Sequence, residues 1–194
     1  MKLLIAADKT RFHNLKQFAD ELVKYGIEYK LIDDSDIYDA PNILHKYSRW
    51  FKTPKKFQKI ITEFKPDAIF TERYSRFSLL VIKHNIPLWI YMVGDHWTEI
   101  KQFYAKTKIS TFRKIELWYK NKISEKCFRE SEIIFVDDKY MEKIVKNRFP
   151  NKKIGLMFQG IKESEWIENE KMVLKHPCVG LLQRANVWGK TEEM

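Results

Sequence analysis

Short apolar runs alternate along the chain with amphipathic stretches. Six of these runs have the length and composition of buried strands and are bounded by polar residues or proline. They cover residues 2–7, 29–32, 67–71, 87–93, 132–136 and 154–158. The run from 87 to 93 is continuously apolar, which is typical of a parallel strand that is covered on both faces.

The segments between these runs carry apolar residues at spacings of three and four, which predicts helices. The predicted helices begin near residues 12, 53, 75, 110 and 138. The helix over 110–129 is the longest, and its apolar stripe predicts one buried face formed by Phe112, Ile115, Tyr119, Ile123 and Cys127. Strands that alternate with helices predict an α/β fold with a doubly wound parallel sheet.

Ligands of such sheets bind outside the carboxyl ends of the strands, so the residues that follow strands are the candidates for function. After the first strand, residues 8–13 contain neither glycine-rich phosphate-binding motif. The helix that starts there still offers free backbone N–H groups to an anion. His13 lies at this point, either as a substrate contact or as an exposed polar residue of the first turn.

An acid, a base and an aromatic residue follow the third strand. Glu72, Arg73 and Tyr74 could hold a sugar or a phosphate at the edge of a crevice. In the alternative interpretation, Glu72 and Arg73 only pair with each other across a loop.

The cluster after the fourth strand is the most informative. Gly94 permits a sharp turn and a close approach to a ligand, Asp95 and His96 are both credible proton acceptors, and Trp97 offers a flat apolar face to a sugar ring. The alternative is a capped turn with no chemical role.

The net charge of +10, from 36 Lys and Arg against 26 Asp and Glu, favours an anionic partner. Two stretches interleave cations with aromatic residues, which suits a membrane interface or a nucleic-acid backbone. In the alternative, each is a solvated helix face whose aromatic residues turn into the core. The first stretch holds Lys46, Arg49, Trp50, Phe51, Lys52, Lys55, Lys56 and Lys59, and the second holds Lys101, Lys106, Lys108, Arg113, Lys114, Trp118, Lys120 and Lys122.

No apolar run approaches the about 20 residues of a spanning helix, and the apolar start is too short for a signal peptide. The sequence therefore predicts a cytoplasmic protein.

The order of features in the second half resembles the family-four glycosyltransferases of the group-one type. The resemblance depends on the strand and helix over 132–145, on Gln159-Gly160-Ile161 with Trp166 a few residues later, and on the apolar run 179–182 followed by Gly189-Lys190. It is most specific over residues 132–190. The loop after the first strand departs from the family pattern because it has no glycine.

This resemblance implies the N-terminal, Rossmann-like half of a GT-B fold over residues 1–170, with a linker and the first strand of a truncated donor-binding domain over 171–194. It implies a retaining transferase that uses a nucleotide-sugar as co-substrate, needs no other cofactor and no metal, and acts on a glycan or lipid-linked acceptor rather than on nucleic acid. Asp95 and His96 would lie beside the reacting sugar, and His13, Glu72, Arg73, Tyr74, Gly94 and Trp97 would form the acceptor site. Gln159, Gly160 and Lys190 would lie on the donor side.

Without the donor domain, this fragment is expected to be inactive. Peripheral contact with the inner membrane face is expected through Lys46, Arg49, Trp50, Lys52, Lys55, Lys56 and Lys59. The alternative function is a non-catalytic basic α/β module that binds a membrane surface or nucleic acid.

Overall fold

The computed structural model describes residues 1–38, 54–72, 74–106 and 110–158. Its centre is a six-stranded sheet in which every neighbouring pair of strands is parallel. The strand order is β2-β1-β3-β4-β5-β6. The strands are β1 (Lys2–Ala6), β2 (Glu28–Ile32), β3 (Ala68–Thr71), β4 (Leu88–Met92), β5 (Ile133–Val136) and β6 (Lys153–Leu156). All six predicted strands are confirmed, with ends that differ by one or two residues.

Seven α-helices lie in the described part of the chain, and they are α1 (Phe12–Val23), α2 (Asp34–Ile37), α3 (Lys55–Phe64), α4 (Arg76–Lys83), α5 (His96–Lys106), α6 (Thr111–Glu130) and α7 (Lys139–Arg148). Five of them match predicted helices, whereas α2 and α5 were not predicted. The chain leaves α1 through Gly26, whose φ of 74° suits glycine. Asn85 closes α4 with a φ of 53°, a left-handed conformation that asparagine tolerates.

Helices cover both faces of the sheet, which confirms the doubly wound α/β class. On one face, residues of α3, α4, α6 and α7 pack against inward-facing residues of the strands, such as Leu4, Ile69 and Ile90. On the other face, Leu15 and Ala19 of α1 pack on β1 and β3. Each face contributes apolar burial, the dominant favourable term in folding.

The predicted buried stripe of α6 is wrong for its N-terminal half. Ile123 and Cys127 are buried, but Phe112 is 74%, Ile115 59% and Tyr119 40% exposed. A helix of 20 residues is about 30 Å long, whereas a strand of five residues such as β4 spans about 17 Å. The sheet therefore covers only part of the helix.

Candidate functional site

The turn from β4 into α5 forms the centre of the candidate site. Gly94 has a φ of 77°, which a side chain would strain. The turn brings Asp95 to the start of α5, at the edge of the sheet where the parallel strands end. The predicted sharp turn at Gly94 is therefore confirmed.

Asp95 caps α5. One carboxylate oxygen accepts hydrogen bonds from the backbone N–H groups of Trp97 at 3.1 Å and Thr98 at 3.0 Å. The other accepts from the Thr98 hydroxyl at 2.6 Å. A side-chain oxygen at this position satisfies N–H groups that have no partner inside the helix. The capped turn considered as an alternative thus exists, and it holds the carboxylate in a fixed orientation.

His96 is half-buried against aromatic rings. Its ring centroid lies 4.7 Å from that of Tyr74 in an edge-to-face arrangement and 6.0 Å from that of Phe128. Burial lowers the pKa of His96, although the nearby side chain of Asn121 partly offsets this. The imidazole is therefore neutral at neutral pH, as a proton acceptor must be.

Two buried polar atoms lie at this position, Nε2 of His96 and Oδ1 of Asn121 on α6, and neither makes a hydrogen bond of good geometry with another described residue. The Asn121 side chain still acts as a weak hydrogen-bond partner that raises the pKa of the imidazole. Leaving such an atom unpaired costs about 1–3 kcal/mol. Unpaired buried groups are rare in folded proteins, and each one calls for an explanation such as strain, a catalytic role or an ordered water.

The loop after β3 is attached to α6. The Ser124 hydroxyl donates to the Tyr74 carbonyl oxygen at 3.1 Å, and the Cys127 thiol donates to the Ser75 carbonyl at 3.5 Å. Burial, with a smaller contribution from the charge of Glu99, raises the pKa of Tyr74 to about 12. The Tyr74 phenol therefore stays protonated at physiological pH and can donate a hydrogen bond.

Trp97 is buried, with 7% of its surface exposed. Its indole N–H donates to Glu125 at 2.8 Å, and the Arg148 guanidinium lies 4.8 Å from its ring centroid. Phe128 and Phe149 pack against the same ring. Trp97 therefore packs on the inner side of α5. The ring face that the sequence analysis expected to meet a sugar is covered by these neighbours.

An ion pair joins the loops after β1 and β3. The Arg11 guanidinium donates to both carboxylate oxygens of Glu72, each at 3.2 Å. The strand order reverses between β1 and β3, and crevices form at such reversals. The sequence interpretation that paired Glu72 with Arg73 missed Arg11, which is 61 residues away along the chain.

A second cation of the loop after β1, Lys9, pairs with an acidic residue at the end of β2. Lys9 lies 3.1 Å from Asp33, which follows that strand. Burial raises the pKa of Asp33, but hydrogen bonds from Ser35 and Lys9 outweigh it and lower the pKa to about 2. Asp33 is therefore ionised at neutral pH, and its ion pair with Lys9 fixes the loop after β1.

Of the remaining predicted site residues, one lies in the part of the chain that the structure describes and four lie outside it. His13 lies exposed in the first turn of α1, with its ring 3.2 Å from the Gln17 amide nitrogen. Four site candidates lie outside the described residues, namely Arg73, Gln159, Gly160 and Lys190. The same holds for five of the seven predicted membrane contacts, namely Lys46, Arg49, Trp50, Lys52 and the side chain of Lys55. The other two, Lys56 and Lys59, belong to α3. The boundary predicted near residue 170 also lies beyond the described part.

Within the described residues, no helix is both long enough and apolar enough to cross a membrane.

Comparisons with known proteins identify no family for this chain. No family model matches the chain, and no curated protein matches it. Among solved structures, the chain is similar to UGT73P12 of Glycyrrhiza uralensis, complexed with glycyrrhetinic acid 3-O-monoglucuronide. The TM-score is 0.44 at 12% identity, over 78% of this chain. The chain spans 41% of that protein, and a likeness at this TM-score carries no argument about family or activity.

Proposed function

We propose that this chain is the acceptor-side domain of a GT-B glycosyltransferase of the retaining, nucleotide-sugar-dependent type. The observation that carries the proposal is the pairing of Tyr74 with His96 across the ends of β3 and β4. A phenol that donates, a neutral imidazole and a fixed carboxylate at Asp95 lie together there. These groups suit an acceptor that presents hydroxyls, as a sugar does. The resemblance of the sequence to family-four transferases gives the same assignment.

The reaction sets the roles of these residues. Transfer breaks a sugar–phosphate bond through a transition state with oxocarbenium character, while the diphosphate leaves with growing negative charge. His96 and Asp95 would contact the sugar that is transferred. Glu72, Arg73, Tyr74, Gly94, Trp97 and His13 would shape the acceptor side, with Trp97 acting through packing. The cations that stabilise the leaving group would come from the donor side, to which Gln159, Gly160 and Lys190 are assigned.

The partners follow from the same proposal. The donor is a nucleotide-sugar, and the acceptor is a glycan or a lipid-linked saccharide. A lipid-linked acceptor would place the protein at the inner membrane face, in contact through the stretch from Lys46 to Lys59. No metal or further cofactor is included in the proposed reaction.

Acceptor binding by the 194-residue chain tests this function. A panel of alkyl glycosides and short lipid-linked saccharides is titrated while ligand-observed NMR records binding. We expect at least one saccharide to bind to the wild-type chain and to bind at least tenfold more weakly to the His96→Ala variant. His84→Ala is the matched control because His84 is bonded to Leu80 and Gln58, away from this cluster. Absence of binding to any saccharide, or equal loss in both variants, would contradict the proposal.

A further inference from the structure

The outward side of α6 combines exposed aromatic residues with cations. We call this surface the outer face of α6 and define it by Phe112, Ile115, Trp118, Tyr119, Lys122, Lys126 and Arg129. At 3.6 residues per turn, these positions lie on the side of the helix away from the buried Ser124 and Phe128. Trp118 is 58% exposed, and Phe112, Ile115 and Tyr119 are exposed as well. Four large apolar side chains on one helix face are more than the isolated exposed residues of an ordinary surface.

The same face becomes cationic towards the end of the helix. Lys122, Lys126 and Arg129 follow Trp118 at spacings of four, four and three, so they continue its row along the helix. All three are exposed, and the Lys122 ammonium lies 5.8 Å from the Trp118 ring centroid. The face therefore has an aromatic half and a basic half.

Two of the three acidic residues of α6 pair with cations that lie outside the outer face. Arg113 and Lys120 both pair with Glu116, and Arg148 pairs with Glu125. The whole helix holds six cations against three anions. The third anion, Glu130, ends the helix beside Arg129, and its charge partly offsets the lowering of the pKa of Lys152 by burial. The helix therefore keeps an excess of cations for an anionic partner.

The geometry points to a bilayer rich in anionic lipid as the partner of this face. Aromatic and aliphatic side chains enter the interface between headgroups and acyl chains, while lysine and arginine meet the lipid phosphates. A nucleic-acid backbone would match the cations but would leave Phe112 and Ile115 without an apolar partner. A second copy of the chain would bring two basic faces together, in a protein whose net charge is already +10. This inference does not depend on the proposed acceptor site.

Vesicle flotation of the full chain tests the inference. We expect the chain to float with phosphatidylcholine vesicles that contain about 30% phosphatidylglycerol. Binding should fall when the salt is raised from about 0.1 M to about 0.5 M, because the Debye length shrinks. Vesicles of phosphatidylcholine alone should bind at least tenfold more weakly. No flotation with the anionic vesicles would overturn the inference.

Two pairs of matched variants locate the contact. Phe112→Ser combined with Trp118→Ser should weaken partitioning at least tenfold, whereas Tyr25→Ser, which removes an exposed aromatic residue from another surface, should change it less than twofold. Lys122→Gln with Lys126→Gln should weaken it about 25-fold, since each cation near an anionic surface is worth about fivefold. The control Lys143→Gln with Lys146→Gln removes the same charge from α7 and should cost less than threefold.

Other outcomes assign the face to another partner. Equal losses in both lysine pairs would mean that binding follows net charge alone, and this would overturn the inference. The inference would also be overturned if the chain formed dimers that only the Phe112 and Trp118 substitutions dissociate. It would equally be overturned if the chain did not float with vesicles but bound RNA in a gel shift that these variants abolish. Thermal unfolding followed by circular dichroism confirms that each variant is folded.

Discussion

Asp95 is a helix cap in this structure and a catalytic candidate by resemblance, and two substitutions separate these roles. Asparagine caps helices nearly as well as aspartate, so Asp95→Asn should lower the free energy of unfolding by about 0.5 kcal/mol, chiefly through the lost charge at the helix start. Asp95→Ala removes the bonds to Trp97 and Thr98 and should cost about 1 kcal/mol. Urea denaturation measures both changes.

The catalytic role of Asp95 predicts a different pattern for activity. In a polypeptide that also carries the donor domain, Asp95→Asn should lose sugar transfer while remaining folded, because only the charge is removed. Transfer close to wild type in a stable Asp95→Asn protein would leave Asp95 as a cap alone.

The burial of His96 predicts how the stability of the protein depends on pH. Its pKa is lowered in the folded chain, chiefly by burial, from an ordinary value of 6.5. The unfolded chain therefore binds this proton more readily, so stability falls as the pH drops through about 6.5 and continues to fall until the folded pKa is passed. The His96→Gln variant should lose less stability than the wild type between pH 7.5 and pH 5.5. Parallel curves of stability against pH for the two proteins would rule out this linkage.

At the residue scale, the sequence predicted the position of the candidate cluster in the fold better than it predicted the contacts of its residues. The cluster at residues 94–97 was singled out because it follows a buried strand, and the structure places it at the end of β4. The partners of these residues were not predictable. Trp97 donates to Glu125 of α6, Ser124 of the same helix donates to Tyr74, and Arg11 reaches Glu72 from the first loop, so each contact depends on tertiary packing between distant segments.

At the element scale, strand β6 depends on a glycine. A methyl group added at Gly155 would lie 2.6 Å from Cδ1 of Phe135 on the paired strand β5. Gly155→Ala should therefore destabilise the protein by about 1–3 kcal/mol, as overpacking does. Phe135→Leu in the same chain should recover part of this loss, which a double-mutant cycle of urea denaturation measures. Simple addition of the two single losses would contradict the proposed clash.

Helix boundaries show where sequence patterns stop being informative. The strands were predictable because parallel strands buried on both faces are short, continuously apolar runs. The helix α5 was missed although Trp97, Ile100, Phe103 and Tyr104 recur at helical spacing, because residues 94–99 were interpreted as a loop at the end of a strand. The cap bonds of Asp95 define its start. In α6 the period was real, but periodicity does not say how much of a helix the rest of the fold covers.

At the scale of the whole molecule, the strand order reverses between β1 and β3, and such a reversal should separate the two following loops and open a crevice. In this structure Arg11 and Glu72 nevertheless join these loops by two hydrogen bonds. The Glu72 side chain is 16% exposed and that of Arg11 38%. Partial burial protects the pair from solvent, so its coupling energy should reach about 1 kcal/mol, whereas exposed pairs along a helix give about 0.3–0.5 kcal/mol.

A double-mutant cycle of Arg11→Gln and Glu72→Gln measures this coupling, and the exposed Lys16–Asp20 pair of α1 is the matched control. We expect the Arg11–Glu72 coupling to be the larger and to persist better in about 0.5 M salt, because a half-buried pair is screened less. A coupling no greater than that of the control would mean that the pair opens freely and that Glu72 is available to a ligand. A strong coupling would mean that the pair holds this rim closed, and that an acceptor enters beside Tyr74 and His96.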